Sequence, residues 1–119
     1  MNRVLRTIGT AALSATLLFA PVAVVLAHPS IDIVAANWKF TPATIELHVG
    51  ETTTLRLTSS EGVHGIQSTE LGIPQTMIMP GSFVTVSVTP KKAGAYVIHC
   101  SVICGAGHPN MVLDVNVVK

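Results

Sequence analysis

The chain has 119 residues, 11% of them charged, and a formal net charge of +1. That length suits one small domain and is too short for two separately packed cores. No basic patch and no acidic run stands out, which argues against nucleic-acid binding and against a charged interaction tail.

Residues 1–27 differ from everything that follows. Arg3 and Arg6 precede "IGTAALSATLLFAPVAVVLA", residues 8–27, a stretch without a single charge. The basic start, the apolar run, Pro21 near its end and the small-residue "VLA" before His28 fit a secretory signal cleaved after Ala27. The alternative is an uncleaved anchor, because about twenty apolar residues at ~1.5 Å each span a hydrocarbon core of ~30 Å. Either reading places residues 28–119 outside the cytoplasm, in the periplasm or its equivalent, soluble after cleavage or anchored to the membrane. This expected domain carries Lys39, Arg56, Lys91, Lys92 and Lys119 against Asp32, Glu46, Glu51, Glu61, Glu70 and Asp114, a balance of −1. Net charge alone does not steer a partner to it.

From residue 28 onward the apolar pattern has period two, as side chains alternating across a pleated strand require, and no stretch reads as a substantial helix. Residues 31–36 form the first candidate strand. In residues 44–49 Ile45, Leu47 and Val49 share a face; in residues 52–59 Leu55 and Leu57 do, with Gly50-Glu51 as the turn between the two strands. Shorter candidates follow at residues 63–68 and 76–79, where Met79 is expected to pack inward and Met77 to face solvent; the two thioethers also read as copper collectors. After the breaker Pro80-Gly81, residues 82–89 bury Val84, Val86 and Val88. Residues 95–99 come next, and residues 111–118 set Met111, Leu113, Val115 and Val117 against the opposite face. Seven or eight short strands separated by "SSEG", "ELGIP" and "PKKAG" predict an all-β protein, an antiparallel sandwich. Trp38, the one tryptophan of the chain, fits either the large aromatic of the core or a surface position.

The loop before the last strand, "CSVICGAGHPNM" (residues 100–111), holds both cysteines of the chain. Two cysteines in an exported protein ordinarily form a disulfide. A bridge between Cys100 and Cys104 would close a loop too short to constrain the unfolded chain much, and it leaves His108 and Met111 unexplained. Thiolate, imidazole and thioether together suit copper, whereas structural zinc makes no use of a thioether. A mononuclear blue-copper site needs one cysteine and two histidines, so the second thiolate points instead to a pair of copper ions, each needing its own imidazole. The second imidazole comes from His28, His48, His64 or His99. His64 is best placed, since it follows the loop "SSEG" at the edge of a strand where loops of one sandwich end converge.

Cys100-x-x-x-Cys104-Gly-x-x-His108-x-x-Met111, with His64 upstream in "SSEGVHGI", resembles the CuA cupredoxin domain of cytochrome c oxidase subunit II. The likeness extends over most of residues 31–119 and includes Pro80-Gly81 and "NWKF". It implies a cupredoxin-like Greek-key β-sandwich with a binuclear centre of two copper ions bridged by the sulfurs of Cys100 and Cys104. His64 and Met111 would complete one copper, and His108 with the backbone carbonyl of Val102 the other. Trp38 resembles the surface tryptophan through which an electron arrives from a cytochrome c. The implied function is to carry single electrons between redox proteins, such as a cytochrome c and an oxidase or reductase, without substrate chemistry of its own.

Three features depart from the family pattern. The chain has one apolar segment where oxidase subunits often carry two membrane helices. It has Val102 where an acidic residue is usual, one that in many members also binds magnesium, and Gly65-Ile66 where Ser-Trp is frequent. The alternatives are an anchored subunit that receives electrons in a haem-copper terminal oxidase, a periplasmic copper carrier or assembly factor, and a zinc-binding structural module.

Overall fold

The computed structural model describes residues 9–23 and 27–119. The segment read as a signal or anchor lies partly outside the described residues. Its described part, 9–23, forms neither helix nor strand, and no helix among the described residues is long and apolar enough to cross a membrane.

Nine strands follow: β1 (Ser30–Ala36), β2 (Lys39–Thr41), β3 (Thr44–His48), β4 (Thr53–Ser59), β5 (His64–Ser68), β6 (Ile73–Ile78), β7 (Val84–Val88), β8 (Gly94–His99) and β9 (Val112–Val118). The strand beyond the expected seven or eight is β2, three residues long. It buries Phe40 between exposed Lys39 and Thr41, and so short a run shows no periodicity.

One sheet has the order β2-β1-β4-β7, a second β3-β9-β8, and β5-β6 form a separate ribbon. Their inner faces meet in one core, in which Ile33, Leu47, Leu55, Leu57, Ile98 and Leu113 are all at most 1% exposed. Each such side chain contributes about 1.5–3 kcal/mol by leaving water. The alternation read from β3, β4, β7 and β9 holds, with Val84 partly covered at the start of β7.

The sandwich is not purely antiparallel. β1 runs parallel to β4, and β3 parallel to β9, because the chain crosses between the two sheets at β2–β3 and again at β3–β4. Alternation dictates which side chains point inward but not the direction of the neighbouring strand, so the pattern alone missed these pairs. A second departure concerns Met79. It is 47% exposed and Met77 46%, with buried Ile78 between them, because residues two apart on a strand share a face.

The arrangement brings the ligand-rich loop to one end of the sandwich. β8 and β9 pair antiparallel up to His99 opposite Val112. Just beyond that pair the Cys100 N–H donates to the Met111 carbonyl at 3.0 Å, closing the neck of the loop. The Ser101 N–H donates to the Gly65 carbonyl at 3.0 Å, tying the loop to β5.

Candidate metal centre

Both cysteines are free thiols, with Cys100 buried and Cys104 partly so, and their sulfurs lie 3.5 Å apart. Each has an imidazole beside it: His64 Nδ1 is 3.9 Å from the Cys100 sulfur, and His108 Nδ1 is 3.5 Å from that of Cys104. The Val102 carbonyl lies 3.2 Å from the Cys100 sulfur, and the Met111 thioether 3.7 Å from the Cys104 sulfur. All six groups singled out from the sequence thus meet around one pair of sulfurs. One donor atom from each of His64, Cys100 and Cys104 lies within 4.8 Å of the other two.

Local structure explains how each group is held. His64 opens β5 and is completely buried. Its Nε2 lies 2.7 Å from the Glu61 carbonyl, which fixes the proton on that nitrogen and leaves Nδ1 facing Cys100 as an acceptor. The 59–62 turn that presents this carbonyl is braced by Ser59, whose hydroxyl donates to the Gly62 carbonyl and accepts from the Glu61 N–H. Cys100 and Met111 are anchored by the neck of the loop, and His108 starts a short 3-10 turn, His108–Asn110, that leads into Met111 and β9. The remaining histidines, His28, His48 and His99, are exposed, and His48 lies 3.6 Å from Glu46. Of the four histidines weighed as the distant imidazole, His64 is the one that stands beside a cysteine sulfur.

Burial, first, and then the hydrogen bond and charge of Cys100 push the Cys104 thiol up from 9.0 to about 11, against an opposing pull from the backbone. Two thiols this close resist becoming two thiolates unless a cation compensates them. The donor set fits copper on its own chemistry: two sulfurs that become thiolates on metal binding, two neutral imidazoles aimed by Nδ1, a thioether and a carbonyl.

Trp38 is 41% exposed, at the surface rather than in the core. It is nevertheless attached to the centre, since its indole Nε1–H donates to the Cys104 carbonyl at 2.9 Å. The ring lies flat over Gly107, where an added Cβ would come within 2.6 Å of three indole carbons. Gly65 plays a similar part beneath the loop. A Cβ there would meet Ser101 Oγ at 2.7 Å, a Val102 methyl at 2.8 Å and the Thr76 carbonyl at 3.0 Å. Neither Gly107 nor the Glu61 carbonyl was singled out by the sequence, and Gly65 was noted only as a departure from the family pattern, because close approach of backbone to a side chain leaves no pattern along the chain.

A cleft of about 560 Å³ between residues 74–77 of β6 and 84–87 of β7 contains no cysteine, histidine or carboxylate. A smaller one, about 380 Å³, is bordered by Glu70, His99, Cys100 and Ser101. The chemistry therefore sits at the loop and not in the more spacious hollow.

Residues 9–108 match the cupredoxin-like domain family, and the chain belongs to it. Within that class it is similar to cytochrome c oxidase subunit 2 of Thermus thermophilus, 32% identical over 84 residues that make up 69% of this chain and 60% of that protein. Against a second form of that subunit the chain spans 48% of the length. Among solved structures, the periplasmic domain of subunit II of cytochrome oxidase (CoxB) of Bradyrhizobium japonicum shares the fold, with a TM-score of 0.71, 17% identity and coverage of 82% of this chain and 88% of that one. A heme-copper terminal oxidase dimer contains a chain with a TM-score of 0.66 and 25% identity, covering 76% of this chain and 65% of that one.

Proposed function

We propose that residues 28–119 are an extracytoplasmic CuA-type domain that holds two copper ions and passes single electrons between redox proteins. The observation that carries this reading is the pair of sulfurs 3.5 Å apart, each with its own imidazole. A bound copper pair supplies a reversible one-electron couple. Cys100 and Cys104 would supply the shared sulfurs, with His64 and Met111 serving one copper and His108 with the Val102 carbonyl the other. The chain's part is to hold these donors still, so that gain or loss of an electron moves them little. The neck bond from Cys100 to Met111, the tether from Ser101 to Gly65 and the fixed tautomer of His64 all serve that end.

Trp38 gives the centre a route to the surface, because its half-exposed ring is one hydrogen bond from the backbone of a bridging ligand. We assign it as the point where an electron arrives from a cytochrome c. The likeness to oxidase subunits supports an oxidase, or a reductase of similar kind, as the acceptor. The domain has no substrate chemistry of its own in this reading, and residues 1–27 deliver it across the membrane or anchor it there. Metal analysis and electron-resonance spectra of the copper-loaded chain test the proposal. Two coppers per chain sharing one unpaired electron are expected; one copper with a single-ion hyperfine pattern overturns it.

A further inference from the structure

We propose that Met77 and Met79 form a surface site that captures Cu(I) and hands it to the cysteine loop. The proposal rests on the reading of that loop as a copper centre, and it begins from the exposure of both thioethers, expected for Met77 but not for Met79. A sandwich strand ordinarily turns polar side chains to solvent, yet β6 and the residue after it present two methionines there, each nearly half exposed. They lie two residues apart on one face, about 7 Å between Cα atoms at the usual strand rise. Each side chain has three rotatable bonds, so the two sulfurs can close on one ion. Thioethers discriminate in favour of Cu(I) over zinc and the harder divalent ions.

The register shows where this face leads. Met77 pairs with Gly65 across the β5–β6 ribbon, and opposed residues of an antiparallel pair project to the same side. The space that a Gly65 side chain would fill is occupied by Ser101 and Val102. Gln75, on the same face as Met77, donates from Nε2 to Ser101 Oγ at 2.9 Å. The thioether face of β6 is thus the face on which the ligand loop rests, and Met77 lies beside the segment whose Val102 carbonyl approaches the Cys100 sulfur. Buried Cys100 and partly covered Cys104 are poor first contacts for an ion arriving from solvent, whereas the exposed methionines are good ones. The transfer changes no oxidation state. Cu(I) exchanges two thioethers for the two cysteine sulfurs, whose thiol protons go to solvent.

The full chain is titrated anaerobically with Cu(I) in acetonitrile-containing buffer, and separately with Ag(I), while the methionine methyl resonances are followed by NMR. Shifts at Met77 and Met79 at substoichiometric metal are expected. In parallel, the double variant Met77→Leu/Met79→Leu, which keeps volume and apolarity, is loaded with Cu(I) and then oxidised. It should load roughly tenfold more slowly, the loss of ~1.4 kcal/mol of capture affinity, and reach the same final spectrum. A purely packing or docking role for these residues leaves the loading rate unchanged in the leucine variant. Equal loading rates, or methyl resonances that do not move, overturn the proposal. A loop that takes up no copper while the Met77 and Met79 methyls shift with Ag(I) defeats the reading of the loop and upholds the thioether site.

Discussion

Gly107→Ala offers a direct test of how Trp38 is joined to the centre. The new methyl would come within 2.6 Å of three indole carbons, well inside ordinary contact distance, so the ring must lift off the loop. Because the ring is 41% exposed it has solvent to move into, and the cost is lost contact rather than compression of the core. Lifting breaks the 2.9 Å hydrogen bond from Nε1 to the Cys104 carbonyl, worth ~1 kcal/mol net. Exposing part of the indole adds about half as much again at ~25 cal/mol per Å². A total of ~1.5 kcal/mol lowers the melting temperature of a domain this size by roughly 6–12 °C. Trp38 is the chain's one tryptophan, so its fluorescence reports the ring without interference. Emission should shift to the red and become less quenched by bound copper, while the copper spectrum, set by the ligands, changes little. Electron exchange with a cytochrome c should slow. An unaltered emission maximum together with a melting temperature within about 1 °C of wild type would refute the placement of Trp38 on this loop.

His64→Ala should abolish the delocalised copper spectrum, and because His64 is completely buried it should also cost the metal-free fold about 2–4 kcal/mol, read from denaturant midpoints. Met111→Leu, at a residue with no exposure, should retain two coppers and lose less than ~1.5 kcal/mol of stability, while the reduction potential and absorption spectrum shift. The metal-free chain should weaken as pH rises from 9 towards 11. Its folded state raises the Cys104 pKa to about 11, so it keeps a proton that the unfolded chain releases near 9.0; the stability from this source is complete below 9 and fades on approach to 11. Urea midpoints across that range should show the slope in the wild type and lose it in Cys104→Ser. Ile103, 88% exposed between the proposed ligands Val102 and Cys104, makes the rim of the candidate centre apolar; Ile103→Lys should slow exchange with a cytochrome c without altering the copper spectrum, as stopped-flow mixing would show.

Much of the candidate centre was legible because its proposed donors are rare residue types held at short spacing on one loop. Cys100, Cys104, His108 and Met111 needed no knowledge of the fold to be grouped. His64 was favoured because it follows the loop "SSEG" at a strand edge, whereas His48 lies on the polar face of its strand, His99 would point away from Cys100 and His28 is far from the loop in sequence. Its complete burial was not legible, because it depends on the loop after β8, from a distant part of the chain, bringing Cys100 against it. The same holds for Trp38, whose place was decided by Gly107, sixty-nine residues further on. Strand alternation identified Leu55, Val86 and Leu113 as core residues but carried no information about parallel pairing, and the inward placement expected for Met79 went against alternation, which sets it on the exposed face of Met77.

The neck bond between Cys100 and Met111 has a consequence for how such proteins diversify. Everything from the first sulfur to the thioether is enclosed between two residues joined backbone to backbone, and of the proposed donors only His64 comes from outside. The hairpin is thus a cassette: residues can be inserted, deleted or exchanged between positions 101 and 110 without disturbing the β8–β9 register, which ends at the neck. The set of donor groups offered at this end of the sandwich can therefore change in a single genetic event, while the sheets and the buried imidazole are inherited unaltered.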